Sequence, residues 1–200
     1  MPYRRTPAVQ ARLDAARKKL FAAAIEVLST QGYAGLSVAS VAAAAGVSSG
    51  SVYTHFEGKS DLVVAIFREV CSREVAAVVT ACEHGSAVER VTAVVQTFAG
   101  RALKNRTMAY ALLAEPVDPA VDAERLVFRQ KFTDAFADAI VSGIEAGEIP
   151  EQDAAISAAA LVGAVGEVMV GPLSSHDSVD PIPSLVALSL RALGVRDGHA

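Results

Sequence analysis

The chain of 200 residues has no tryptophan, two cysteines and four histidines, and aromatic side chains make up only 6% of it. With so few rings, the interior has to be built from small side chains, chiefly alanine, and alanine with leucine favours helix. Cys71 and Cys82 fall on one predicted helix and share a face. At 1.5 Å of rise per residue they stand about 16 Å apart, whereas a disulfide needs Cα atoms within about 7 Å. They therefore read as apolar packing in a reducing, cytoplasmic compartment. No zinc spacing joins the cysteines to the histidines, and no metal or other cofactor is expected. The chain also lacks a nucleophile elbow, a metal pair and a phosphate loop. An enzyme reading is thus reduced to an all-α hydrolase or transferase using His55, His84 or His176 with a carboxylate. His176, beside Asp177 in a serine-rich loop, reads as simply solvated. Long apolar runs are missing too. Ala154 to Gly166 is shorter than the roughly 18 residues a membrane span requires. Val27 to Phe56 contains no Asp, Glu, Lys or Arg, but glycine, serine, threonine and glutamine interrupt it. The N-terminal charges have no apolar segment behind them, so neither a signal peptide nor a membrane partner is expected.

What is present is a hydrophobic fraction of 52%, ample for a core, and a lopsided charge. Residues 1–60 carry seven Lys or Arg against Asp14, Glu26 and Glu57, a net charge of +4. The whole chain is −4, so the remainder is −8. A basic head on an acidic body suits a nucleic-acid-binding unit attached to something else.

Ser37 to Lys59 organises the rest. Val38, Val41, Ala42 and Ala45 stand at i, i+3, i+4 and i+7, one apolar face of a short helix. Ser37 is placed to cap its first N–H groups, and Gly46 suits the left-handed residue that ends it. Val47 points back to the core. Ser48 or Ser49 then caps a second helix whose inward residues are Val52 and Phe56, and Ala42 is small enough for the two helices to cross closely. Helix, glycine turn and second helix make a helix-turn-helix unit, whose second helix enters the DNA major groove.

The longer string is more specific. Gly46-Val47-Ser48, Val52-Tyr53-Thr54-His55-Phe56, Gly58-Lys59 and Asp61-Leu62 resemble the N-terminal domain of the TetR family of bacterial regulators, over roughly residues 12 to 70. The resemblance implies a dimeric all-α repressor that releases DNA when a small molecule binds its C-terminal domain. It also places Tyr53, His55 and Lys59 at sugar-phosphate contacts. A phenol and an imidazole donate to phosphate oxygens and Lys59 adds charge beside a helix N-terminus. These contacts position the protein without specifying sequence.

Ser49, Gly50 and Ser51 open the second helix, nearest the base edges; Ser48 just before them is also a candidate DNA contact, and Ser37 offers another phosphate contact. Ala39, Ser49 and Ser51 are short where family members often carry longer polar readers, and no Arg is near for bidentate contact with guanine. Selectivity is then expected to lean on thymine methyls, water and DNA shape.

Along the chain, residues 1–10 read as irregular, with Arg4 and Arg5 as a candidate basic arm for phosphates or the minor groove. A bracing helix is expected over about 11–30, with Leu13, Leu20, Phe21, Ala24, Ile25 and Leu28 as its buried stripe. A long helix follows from Lys59 to about Cys82, with Leu62, Ile66, Phe67 and Val70 as its stripe, and links two domains. The division is 1–66 for DNA binding and 67–200 for ligand binding and dimerisation. Further helices are expected at about 87–103, 107–115, 120–146, 151–170 (closed by Gly171-Pro172) and 183–193. Small residues from Ala154 to Gly166, among them Ala155, Ala158, Ala159, Leu161 and Gly163, form with Leu185, Leu188, Ser189 and Ala192 a candidate dimer seam. Dimer symmetry would match a palindromic double-stranded operator.

Phe98, Met108, Leu112, Phe128, Phe132, Phe136 and Met169 are candidates to line an effector cavity. Arg125 and Arg129, at i and i+4, are placed to hold Glu115 or an anionic ligand group. The expected function is a ligand-released, homodimeric DNA-binding regulator, with a small hydrophobic or amphipathic effector. The alternatives are a ligand-independent dimeric DNA-binding module and the enzyme above.

Overall fold

A computed structural model describes residues 6–175 and 180–195. Arg4, Arg5, His176 and Asp177 lie outside the described residues. Among those described, the chain is all-α, with no strand. The helices are α1 (Pro7–Gln31), α2 (Val38–Ala45), α3 (Ser49–Tyr53), α4 (Lys59–Ala81), α5 (Ala87–Lys104), α6 (Arg106–Leu113), α7 (Pro119–Glu145), α8 (Ala154–Ser174) and α9 (Ile182–Ala192).

Three boundaries differ from expectation by more than two residues, two of them at a proline. Helix α1 starts at Pro7 rather than near Ala11. The Thr6 hydroxyl accepts the Val9 N–H, and Pro7 stands at the first helical turn. A proline there has the right φ already and lacks only an N–H that would be unpaired anyway. Helix α8 passes through Pro172 to Ser174 instead of closing before it. It also starts later than expected, at Ala154, because the Asp153 carboxylate caps the Ile156 N–H. The result is a 21-residue helix whose most apolar 18-residue window has a mean hydropathy of 1.8, long and apolar enough by length and composition to cross a membrane, although only 22% of that window is buried within the chain.

Buried side chains form two clusters. The first joins α1, α2, α3 and the first half of α4, through Leu20, Val27, Leu28, Val41, Val52, Phe56, Leu62 and Ile66. It also takes in Ala111 of α6 and Val121 and Phe128 of α7. The second joins the end of α4 to α5, α7, α8 and α9, through Val78, Val91, Val95, Ile140, Val165, Met169 and Leu185. Helix α4 runs through both, and 23 residues at 1.5 Å each span about 35 Å. On α1, Leu13 and Phe21 are only half-buried, whereas Ala23 and Val27 are buried, so the inward stripe is rotated slightly from the expected one.

Candidate functional site

The helix-turn-helix is assembled by local chemistry. Ser37 and Ser40 form a capping box at the start of α2: the Ser37 hydroxyl accepts the Ser40 N–H and the Ser40 hydroxyl accepts the Ser37 N–H. The helix ends at Gly46, whose φ of 64° is left-handed. Nothing lies within 4 Å of the position a Cβ would take, so the demand for glycine comes from the backbone alone. Val47 N–H then bonds back to the Ala42 carbonyl. Between the two serines considered as cap, the structure uses Ser48, whose hydroxyl accepts the Ser51 N–H at 3.2 Å. Val52 and Phe56 are completely or nearly buried, which pins α3 to the core by one face and turns the other outward.

On that outward face lie Ser49, Gly50, Ser51 and Tyr53, all exposed. Tyr53 is 57% exposed, a poor fit to a packing residue and a good one to a phenol awaiting a partner. His55 is half-buried and Lys59, the first residue of α4, is exposed. The Lys59 ammonium lies 5.7 Å from the centre of the Tyr33 ring. Ser37 and Ser48 belong to the same surface, but their hydroxyls already serve as caps. Arg17 stacks over both Phe21 and Phe56, 5.4 and 5.2 Å from the ring centres, so the bracing helix is tied to Phe56 in the link between α3 and α4.

A cavity of about 230 Å³ opens among α4, α5, α6, α7 and α8. Phe67, Phe98, Phe128, Phe132 and Phe136 line it, five of the seven phenylalanines in the chain. Phe98 and Phe132 meet edge to face at 5.2 Å. Met108, Leu112 and Arg129 line it as expected, but Met169 does not. Met169 is fully buried in the second core cluster. Being on α8, it packs inward toward residues that the sequence pattern alone did not separate from the cavity wall. Cys71 also faces the cavity, and burial pushes its thiol up to about 12. Arg129 is exposed at the lip and makes no ion pair among the described residues.

Arg125 and Glu115 do not pair as charge on charge. Arg125 donates instead to three backbone carbonyls at the end of α6, those of Leu112 at 2.9 Å, Ala111 at 2.7 Å and Glu115. Burial lowers its pKa, against the raising influence of Asp122. The Glu115 carboxylate turns the other way. It accepts the backbone N–H groups of Tyr33 at 2.8 Å and Ala34 at 2.9 Å, in the turn between α1 and α2. Tyr33 donates its phenol to Asp118 at 2.7 Å and accepts the Asp118 N–H at 3.1 Å. Burial raises the Tyr33 pKa most, and the Asp118 carboxylate adds to this. A Cβ at Gly32 would stand 2.8 Å from Glu115 Oε2, so the carboxylate occupies room that only glycine leaves. Tyr33 and Asp118 were missed by sequence reasoning, and of Glu115 only the backbone carbonyl, not the carboxylate, is held by Arg125, because partners about 80 residues apart leave no periodic trace.

On the candidate dimer seam, Ala158, Leu161, Leu185 and Ser189 are buried within the chain itself. Ala155, Ala159, Gly163, Leu188 and Ala192 of the seam are exposed, and so are Ile156 and Val168 beside them on α8.

A capped, outward-facing second helix beneath a cavity-bearing helical body defines a DNA-binding transcriptional regulator. Comparison with known proteins agrees. Residues 20–66 match the model for bacterial regulatory proteins of the tetR family, and residues 84–170 match that of a tetracyclin repressor-like C-terminal domain. The chain belongs to the TetR family. It is similar to the HTH-type transcriptional regulator CymR of Pseudomonas putida, 47% identical over 66 residues, which span 33% of this chain and 32% of CymR. It is similar over nearly its whole length to a tetR-family regulatory protein from Rhodococcus RHA1, with 28% identity and a TM-score of 0.70, covering 91% of this chain and 98% of that one. FadR of Bacillus subtilis, solved in complex with stearoyl-CoA, shares the fold at 22% identity and a TM-score of 0.74, covering 92% of this chain and 100% of FadR.

Proposed function

We propose that the chain is a homodimeric repressor that binds a palindromic operator and is released by a small amphipathic effector carrying an anionic group. Residues 1–66 serve as the DNA-reading unit and 67–200 as the ligand-binding and dimerisation unit. The observation that carries this reading is that one helix serves both ends. Helix α4 starts at Lys59 beside the DNA-reading surface and contributes Phe67, Cys71 and Glu74 to the cavity wall.

Ser49, Gly50 and Ser51 face the base edges, while Tyr53, His55, Lys59, Ser37 and Ser48 hold the backbone. Most contacts of this kind position the protein, and short serines leave discrimination to DNA shape. The exposed apolar side of α8, with Ile156, Ala159, Gly163 and Val168, pairs with its copy and with Leu188 of α9. Removing that apolar surface from water drives the pairing, and only the surplus over the cost of association appears as affinity. Two-fold symmetry then sets two α3 helices about 34–36 Å apart, one DNA turn.

The cavity favours an effector-responsive regulator over a module that only dimerises. Its volume lies somewhat below the roughly 300–1,000 Å³ common for drug-sized ligands. It suits the apolar part of a compact ligand, with Phe98, Met108, Leu112, Phe128 and Phe132 around it and Arg129 at the lip for an anionic head. FadR's complex with stearoyl-CoA supports an apolar chain joined to an anionic group as the ligand class. Ligand and DNA weaken each other by the same factor, since coupling is reciprocal.

Anisotropy titration with DNA flanking the chain's own gene, at several salt concentrations, tests the reading. The expected result is nanomolar to micromolar binding that weakens steeply with salt and a dimer by light scattering. A monomer that ignores DNA at low salt overturns it.

A further inference from the structure

We propose that the hydrogen-bonded bridge Arg125–Glu115–Tyr33 carries cavity occupancy to the DNA-reading unit, with Arg125 as the positioning residue that a ligand's anionic group recruits. The proposal rests on the cavity being the effector site, and it adds a second connection beside α4.

The bridge is continuous. At its inner end, Arg125 and Phe67 both line the cavity, and the guanidinium lies 5.9 Å from the Phe67 ring centre. The same guanidinium gathers the carbonyls of Ala111, Leu112 and Glu115. Those groups end α6, where a helix leaves its last carbonyls unpaired and its dipole negative. Arg125 therefore holds the α6 terminus in place. At the outer end, Glu115 takes two N–H groups in the turn that leads from α1 to Ser37, the cap of α2. Asp118 clamps the Tyr33 phenol from the same segment, and the Tyr33 ring carries Lys59 over its face. One stretch of chain, Ala111 to Asp118, is thus gripped from the cavity on one side and grips the DNA-reading unit on the other.

The direction of the switch follows from bond strengths. Neutral carbonyls compete poorly with a carboxylate or phosphate for a guanidinium, because the anion adds a full opposite charge and accepts two parallel N–H groups in one fork. An anionic group entering the cavity draws Arg125 toward itself. The α6 carbonyls lose their donor, the last turn of α6 loosens, and Glu115 withdraws from Tyr33 and Ala34. The turn ahead of Ser37 is then free to move, and the angle at which α2 and α3 are presented changes. Asp122, 3.8 Å from Arg125, keeps the cation partly paired during the exchange.

The test uses the full chain without added ligand. Arg125→Met keeps the aliphatic stem and removes the cation, imitating an Arg125 drawn away. Glu115→Gln keeps the shape and weakens the grip on the turn. Hydrogen exchange followed by mass spectrometry should show the peptide covering 32–37 exchanging about tenfold faster in both variants, within the range typical of coupled sites. Affinity for promoter DNA should fall by a similar factor in each single variant and no further in the double variant, because the two residues act in series. Unchanged exchange at 32–37 in Arg125→Met, or losses that simply multiply in the double variant, would overturn the bridge. If Arg125→Met fails to fold, Glu115→Gln paired with Tyr33→Phe decides by the same criterion. Failure of the unaltered chain to bind DNA would remove the proposed function, while the exchange measurement would still judge the bridge.

Discussion

The DNA-reading head and the body beneath it are built to opposite rules. In the head, Val41, Val52, Leu62 and Ile66 are completely buried, every helix end from α1 to α3 is capped by a neighbour in sequence, and the functional groups stand on the outside. In the body, five phenylalanines surround a cavity instead of filling it, and α8 leaves an apolar face uncovered. A surface that must meet DNA at fixed geometry benefits from close packing behind it. On the proposed function, a domain that admits a ligand and pairs with a copy would give up packing within the single chain and regain it when the ligand and the partner arrive.

The sharpest way to break this comparison is to make the same substitution in both regions. Phe56→Ala in the head should cost about 3–5 kcal/mol, the range for a buried phenylalanine in a well-packed core. Phe132→Ala should cost distinctly less, because it widens a space that already exists and its ring is only half-buried. Chemical denaturation of both variants provides the check, and equal costs would erase the distinction.

Next in size, Tyr53→Ala should weaken binding to all DNA sequences alike, by roughly 1–3 kcal/mol at fixed salt, somewhat above a typical neutral hydrogen bond. It should leave the melting temperature unchanged, since Tyr53 is exposed; a selective loss on one operator would contradict a backbone role.

Gly46→Ala should destabilise the head by about 1–2 kcal/mol through the left-handed φ alone, even though the space for a methyl group is empty. Thermal unfolding measures it.

The smallest effect concerns the join between the regions, where Arg68 of α4 pairs with Glu124 of α7. The hydrogen bond from Arg68 lowers the Glu124 pKa. A carboxylate depressed in the folded state lends stability above its unfolded pKa and loses it as the pH falls through the folded one. Acid titration of stability should therefore be slightly flatter in Arg68→Ala than in the unaltered chain. The difference should be small because Arg68 is exposed.

Legibility followed the same division. Ser37, Gly46 and Ser48 announce their roles within four residues of the groups they serve, so the helix-turn-helix and its outward serines could be read directly. Most helix limits fell within a few residues for the same reason. Pro7 misled because a proline suits the first turn of a helix as readily as it breaks one, and only the Thr6 cap distinguishes the two; Pro172 lies inside the last turn of α8 where the pattern favours a break. Most of the candidates named from the sequence line the cavity because large apolar residues were clustered on α5, α6 and α7, although many other lining residues, Phe67 and Cys71 among them, went unnamed. Met169 was assigned to the same wall, yet α8 turns it into the core.

Amino-acid order therefore specified the elements: which segments coil, where they stop, and which face of each avoids water. Those choices are made by caps, glycines and 3.6-residue spacing, all of which act over a turn or two. How the elements meet was another matter. That Glu115 reaches across to Tyr33 while Arg125 holds its carbonyl from behind, and that α6 and α7 share the core of the DNA-reading head, depends on folding that brings together residues about 80 positions apart. Hydrogen bonds of that kind have no local signature, because either partner would look equally at home facing solvent until the chain has closed around it.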